Sequence, residues 1–406
     1  MPSPTRQRAF ALEIVQRLRA AGFEALWAGG CVRDELLGLA PKDYDVATNA
    51  TPDQIRDVFG RRRTLAIGAA FGVVTVLGPR AAGQIEVATF RCDAAYSDGR
   101  HPDSVTFTDA QHDAQRRDFT INGVFYDPIE DTVVDYVGGQ QDLAQRTIRA
   151  IGAPRLRLSE DKLRMLRAVR FAAAFDFQIE IETLRAIQEM AADVMSVSAE
   201  RIGAEIRRML VDENRAVALR LLSEGNLLAQ VLPEVAALPP ADFDNALRVL
   251  AALRQPTLPL ALAALLLHVT TDRAAGGVGR RLRFTNKEIE RAGWLLAHRA
   301  VAASAPDQPW PRVQRVLTHD GAAELLALQE AIAGPADPAL VFCHERLAWP
   351  PERLNPPPLI DGSDLIAHGL APGPQFSALL EKIRDAQLNG EITSRDEALA
   401  LADRLL

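Results

Sequence analysis

The sequence is poor in cysteine: Cys31, Cys92 and Cys343 are the only three in 406 residues. They are too few and too scattered for a disulfide framework or a cysteine-ligated zinc site, and are expected to be reduced and structural. Aromatic residues make up only 6% of the chain. No stretch approaches the roughly 18 uninterrupted apolar residues of a membrane helix, and the most apolar run, residues 258–269, falls short of it. Residues 1–8 are polar and basic, with no apolar signal core behind them. These absences predict a cytoplasmic protein without a membrane association. A net positive charge is missing as well: 46 Lys and Arg against 53 Asp and Glu leave −7. As a whole-chain figure this argues against a nucleic-acid binder, but phosphate affinity depends on local basic surface.

What is present is ample apolar material, 48% of residues, in a chain long enough for two to four domains. The charge is unevenly spread. Arg146, Arg149, Arg155, Arg157, Lys162, Arg164, Arg167 and Arg170 are opposed between residues 146 and 170 by only Glu160 and Asp161. Alone, such an island reads as a solvated helix face. Its position beside the motifs below turns it toward a nucleotide-facing one.

Residues 1–148 mix two periodicities. Residues 5–21 form an amphipathic helical pattern stopped by Gly22, and residues 23–28 a short apolar strand running into Gly29-Gly30. Thr51-Pro52-Asp53 supplies an N-cap, a proline at the first helical position and an early acid. Residues 73–77 and 85–90 read as strands, so this segment is α/β. From Ser159 onward helical spacing dominates, punctuated by Pro239-Pro240 and by the prolines between 350 and 358. No fixed-period repeat is present.

Three constellations carry chemistry. Gly29-Gly30-Cys31-Val32-Arg33-Asp34 follows a strand and opens a helix, so backbone N–H groups can face an anion. Gly30 would permit the close approach of a triphosphate, and Arg33 would pair with it. In Lys42-Asp43-Tyr44-Asp45-Val46, strand alternation would put Asp43 and Asp45 on one face, where paired carboxylates can hold hard cations such as Mg²⁺. Two such ions can clamp the attacking and leaving oxygens of an in-line phosphoryl displacement. Glu86, flanked by apolar residues, is either a third carboxylate of that site or an outward-facing acid.

These motifs, followed by Arg116-Arg117-Asp118-Phe119-Thr120-Ile121-Asn122, Glu160-Asp161-Lys162-Leu163-Arg164 and Glu200-Arg201-Ile202, resemble in order and spacing the class II tRNA nucleotidyltransferase and bacterial poly(A) polymerase family. The resemblance covers residues 25 to about 210. It implies an α+β protein: a polymerase-beta-like nucleotidyltransferase head with a mixed sheet at residues 1–148, a helical neck at 149–215, a helical body at 216–345 and a tRNA-gripping tail at 346–406. By that resemblance Gly30 and Arg33 contact the triphosphate, Asp43 and Asp45 bind Mg²⁺, Arg117 lies near ribose and phosphates, and Asp118 supports its loop. Asp161 and Arg164 would read the incoming base, with Arg167 and Arg170 as further nucleotide contacts. The implied substrates are CTP, ATP and the 3′ end of tRNA, with no obligatory protein partner.

The helix chemistry is consistent with that assignment. At about 100° per residue, Arg164, Arg167 and Arg170 span about 120° of one face, with Met165, Leu166, Val169, Ala172 and Ala173 opposite. Asp161 and Arg164, three apart, are expected to brace one another, as an ordinary helix salt bridge would. Cytosine and adenine each offer an amino donor beside a ring-nitrogen acceptor, which an Asp acceptor and an Arg donor can match. Uracil and guanine reverse that pattern.

CCA addition is favoured over the alternatives of A addition or poly(A) synthesis. Arg61-Arg62-Arg63 resembles a basic stretch of poly(A) polymerases, but the continuation through Gly72 lacks its Phe and His pattern. The segment 93–110, with Tyr96, Asp98-Gly99-Arg100-His101-Pro102 and Phe107, looks like the loop of CCA- and A-adding members. A phosphohydrolase reading of residues 260–271 fails because Val269 follows His268 where an Asp is needed, and a non-catalytic RNA binder would leave Asp43 and Asp45 without a task.

Overall fold

The computed structural model describes residues 4–68, 71–93, 105–269 and 274–405. Within them the chain forms two compact units, Met1–Ala237 and Leu238–Leu406. Tyr96 and the Asp98 to Pro102 motif fall outside the described residues.

In the first unit the strands are β1 (Ala25–Ala28), β2 (Asp45–Thr48), β3 (Thr64–Gly68), β4 (Val73–Leu77), β5 (Gln84–Thr89), β6 (Arg91–Asp93), β7 (Val105–Phe107), β8 (Val124–Asp127), β9 (Thr132–Asp135), β10 (Thr147–Ile148) and β11 (Gln178–Ile179). Seven of them make one sheet in the order β3-β4-β5-β2-β1-β8-β9. It is mixed, since β2 and β5 run parallel while the other neighbours are antiparallel. Alternation along the strands dresses both faces. Trp27, Val46 and Val87 pack with Phe10, Ile14 and Ile55, which come from the helices Pro4–Ala20 and Pro52–Phe59. Leu26, Ala28, Ala47 and Phe90 pack on the other face with Ala110 and Ala114 of the helix Ala110–Gln115. Asp45, two residues before Ala47, shares this second face. The helix starting at Pro52 has the expected cap: Thr51 and Gln54 form a capping box.

The rest of this unit is helical, with Pro154–Glu160, Leu163–Phe175, Ile181–Met190, Ala199–Val211 and Arg215–Glu224 as its main helices. In Leu163–Phe175 the expected apolar arc is buried: Met165, Leu166, Val169, Ala172 and Ala173 are all inside. The fold expectation therefore holds, with only β11 as a strand beyond residue 149 among the described residues.

The second unit is helical throughout its described residues. Beyond the prolines at 350–358, the helices Gly362–Ala367, Gln375–Leu388 and Arg395–Leu405 share a small core of Leu365, Leu379, Ile383 and Ala398. The last of them opens on a capping box: the Ser394 hydroxyl accepts from the Glu397 N–H, and the Glu397 carboxylate accepts from the Ser394 N–H. His268 sits 2.8 Å from the Asn245 side-chain amide and 3.7 Å from Asp242, and among the described residues no group of three His, Cys, Asp or Glu is assembled to hold a metal. No helix of the described residues is long and apolar enough to cross a membrane.

Candidate active site

The β1 strand delivers the chain to Gly29, whose backbone sits at φ +73°, a region that costs an L side chain strain. A Cβ there would also lie 3.0 Å from the Arg117 guanidinium. The turn therefore needs glycine, and it starts the helix Gly30–Leu36 at the wall of a cavity of about 600 Å³. Gly30, Arg33, Asp43, Asp45, Arg117, Asp118, Asp161, Arg164, Arg167 and Arg170 all line that cavity. Glu86 does not, although it is Asp45's register neighbour across the β2–β5 pair. It is exposed on its strand, on the same sheet face as Asp45, and its charge reaches the Asp45 carboxyl.

The lining holds seven arginines and four aspartates. Guanidinium donors thus outnumber carboxylates on the wall itself, in a chain of net charge −7, and can meet phosphate oxygens there.

The carboxylate pair differs from expectation in its backbone. The strand begins at Asp45, so Asp43 stands in the loop just before it, because the Ala28–Asp45 pairing ends the ladder. Both side chains nonetheless reach the cavity. Neither has a hydrogen-bond or ion-pair partner among the described residues. Burial pushes the Asp45 carboxyl up to about 7, and the like charges of Asp43 and Glu86 add to this against the opposing pull of Arg117. Two unpartnered oxygen-donor side chains with mutually repelling charge fit a hard divalent cation.

The arginines are each held by an acid. Arg33 donates to Asp34 at 2.6 Å and to the Asn122 side-chain oxygen at 2.7 Å, and its guanidinium lies over Phe175. Three of its five N–H groups are thereby engaged. Arg117 is gripped by Asp113 at 2.9 Å. Asp118 accepts from the Asn122 amide at 3.0 Å and from both Nε and Nη2 of Arg167, at 2.8 and 2.6 Å. It supports its own loop, as expected, and also ties that loop to the arginine helix. Arg170 donates to Glu205 at 2.5 Å and lies over Phe171.

The expected brace between Asp161 and Arg164 does not form. Asp161 takes extended backbone angles between the helices Pro154–Glu160 and Leu163–Phe175, so helical i,i+3 geometry does not apply to its side chain. Its carboxylate instead accepts a fork from Arg201, at 3.2 and 2.7 Å, and the Leu163 N–H at 3.1 Å. Arg164 pairs with Glu160 at 2.5 Å, one helical turn back, and donates to the carbonyl oxygens of Arg157 and Arg116. Arg201 and Asn122 appeared in the sequence only as motif members without a role. Asp113, Glu160 and Glu205 had none either; Asp113 and Glu160, each four residues before the arginine it holds, had a spacing that could have revealed them, whereas Glu205, 35 residues from Arg170, did not.

Burial alone would raise the Asp118 carboxyl, but Arg167 and the Asn122 hydrogen bond outweigh it and hold it at about 2. A carboxyl so depressed stabilises the fold above its ordinary value of 3.8, and that contribution is lost as pH falls toward about 2. Denaturant midpoints measured across that window should fall more steeply for the wild type than for Asp118→Asn, by on the order of 2 kcal/mol. Parallel profiles would contradict the linkage.

Residues 25–149 match the poly(A) polymerase head domain family, and residues 176–238 a probable RNA- and SrmB-binding site of polymerase A. The chain is 34% identical to the CCA-adding enzyme of Geobacillus thermodenitrificans over 395 residues, 96% of this chain and 95% of that protein. It is 41% identical to poly(A) polymerase I of Salmonella typhi over 240 residues, 55% of this chain and 50% of that protein. A crystal structure of the Bacillus stearothermophilus CCA-adding enzyme in complex with CTP is similar across 100% of this chain and 98% of that one, with a TM-score of 0.78 and 31% identity.

Proposed function

The chain belongs to the family of CCA-adding enzymes and poly(A) polymerases, and from that premise we propose that it adds CCA to the 3′ end of tRNA, taking CTP and ATP as substrates. The observation that carries this reading is the cavity itself, where a carboxylate pair at the start of β2 faces the arginine helix Leu163–Phe175 across a two-glycine turn. The extent of similarity favours CCA addition over poly(A) synthesis: the Geobacillus CCA-adding enzyme aligns over 95% of its length, the Salmonella poly(A) polymerase over 50%.

In the reaction, the tRNA 3′-oxygen attacks the α-phosphate of the nucleotide in line, and pyrophosphate leaves from the opposite side. Enzymes of this family depend on divalent metal, and Asp43 and Asp45 would hold Mg²⁺, which when bound activates the attacking oxygen and neutralises the charge that develops. Gly30 lets the triphosphate approach the backbone closely, while Arg33 and Arg117, fixed by Asp34, Asn122 and Asp113, offer it pre-oriented donors. Asp161, held by Arg201, presents an acceptor to the exocyclic amine of cytosine or adenine, and Arg164 presents a donor to the ring nitrogen. Arg167 and Arg170 contact the remainder of the nucleotide. Residues 1–148 would serve as the catalytic head and 149–215 as the neck that carries the base-reading helix. Residues 216–345 would be the body and 346–406 the tRNA-gripping tail, in a protein acting in the cytoplasm.

Poly(A) synthesis is distinguished by ATP alone. Given tRNA ending in CC, the protein should add one adenosine and stop, as read on a sequencing gel. A ladder of adenosines would support the poly(A) reading instead.

A further inference from the structure

The cavity arginines named above are each matched by a carboxylate. At the far edge of the sheet the situation is reversed. Arg61, Arg62 and Arg63 form a single 3₁₀ turn leading into β3; all three are exposed, and none of their guanidinium groups has a partner among the described residues. Arg80, in the turn after β4, is likewise exposed and unpartnered among the described residues. Between residues 56 and 83 five arginines face a single acid, Asp57, in a chain whose overall charge is −7.

The register gives this patch its meaning. Leu77 lies opposite Gln84, and Glu86 lies beside Asp45 in the parallel β5–β2 pair, so Gln84 marks the end of the sheet at which the loop carrying Asp43 enters β2. Thr64, where the triplet enters β3, lies opposite Val76, one residue from Leu77 and so at that same end. The triplet therefore occupies the catalytic end of the sheet, three strand spacings from β2, or roughly 14 Å. A stacked nucleic-acid strand rises about 3.4 Å per nucleotide, so this is the reach of about four nucleotides.

We propose that Arg61, Arg62 and Arg63, with Arg80 beside them, bind the phosphate backbone of the tRNA acceptor stem and so position the 3′ end over Asp43 and Asp45. The proposal rests on the tRNA reading above. Guanidinium forks suit phosphate oxygens, and such contacts fix position without reading sequence. Acceptor stems differ in sequence from one tRNA to another, which makes a backbone contact the suitable kind.

The test uses the full-length protein, a tRNA transcript ending before CCA, and a minihelix containing only the acceptor and T arms. The variant with Arg61→Ala, Arg62→Ala and Arg63→Ala should bind both RNAs roughly tenfold more weakly, and the slope of log Kd against log salt should shrink by up to about 3, near 0.9 for each phosphate no longer neutralised. KM for tRNA should rise while kcat and KM for CTP stay unchanged, and the triple lysine variant should retain most of the affinity. Unchanged affinity and salt slope in an alanine variant with wild-type melting would overturn the proposal, as would a weakening seen with tRNA but not with the minihelix. A wild-type protein that neither binds nor extends tRNA would instead overturn the parent reading, and this one with it.

Discussion

Replacing Asp43 or Asp45 by alanine is expected to abolish nucleotide transfer with CTP and ATP alike. Each side chain lines the cavity and has no partner among the described residues, so its removal breaks no structural interaction there. On the proposed role, what would disappear is a ligand for the charge-neutralising cation, worth several kcal/mol in the transition state, and each ~1.36 kcal/mol is tenfold in rate. Single-turnover incorporation should fall by roughly a thousandfold or more. Stability should move the other way. The Asp45 carboxyl, pushed up to about 7 by burial and by Asp43 and Glu86, is an unfavourable charge in the folded state, so Asp45→Ala should melt no lower than the wild type. Near-normal turnover by either variant in Mg²⁺ would sink the metal assignment, and a marked fall in melting temperature would sink the electrostatic account.

The second large effect concerns nucleotide choice at Asp161. If this residue merely closed an ion pair, Asp161→Ala would cost a little stability and leave selectivity intact. As a base reader, its loss deprives the amine of cytosine or adenine of its acceptor and removes the penalty that UTP and GTP suffer against a carboxylate. Discrimination should shrink by about 1–3 kcal/mol, roughly ten- to hundredfold. Because Arg201 holds the carboxylate by a fork, Arg201→Ala should reproduce much of that loss with Asp161 still present. Competition among the four nucleotides on a tRNA primer is the measurement. Wild-type selectivity in both variants would remove Asp161 from the templating role.

Much of this was legible in the sequence because it is local. The strand into Gly29-Gly30, the Thr51 and Ser394 caps and the apolar arc of the arginine helix each follow from neighbours within four residues. The strands β8 and β9 were not, since Tyr126-Asp127 and Thr132 dilute the apolar alternation that would reveal them. The supports of the site were hidden for a different reason. Arg33 finds Asn122 across 89 residues, Arg167 finds Asp118 across 49 and Arg201 finds Asp161 across 40, separations that no periodicity records. The misplaced brace at Asp161 has the same origin: spacing of three implies contact only within a continuous helix, and the helix is interrupted at that residue.

The most direct test of the account is the product formed on a tRNA transcript that ends before CCA, supplied with CTP and ATP together in Mg²⁺. The account predicts a single product three nucleotides longer, ending in CCA when its 3′ end is sequenced, and two added cytidines when CTP is supplied alone. No extension of this transcript, or extension by adenosines only, would contradict it.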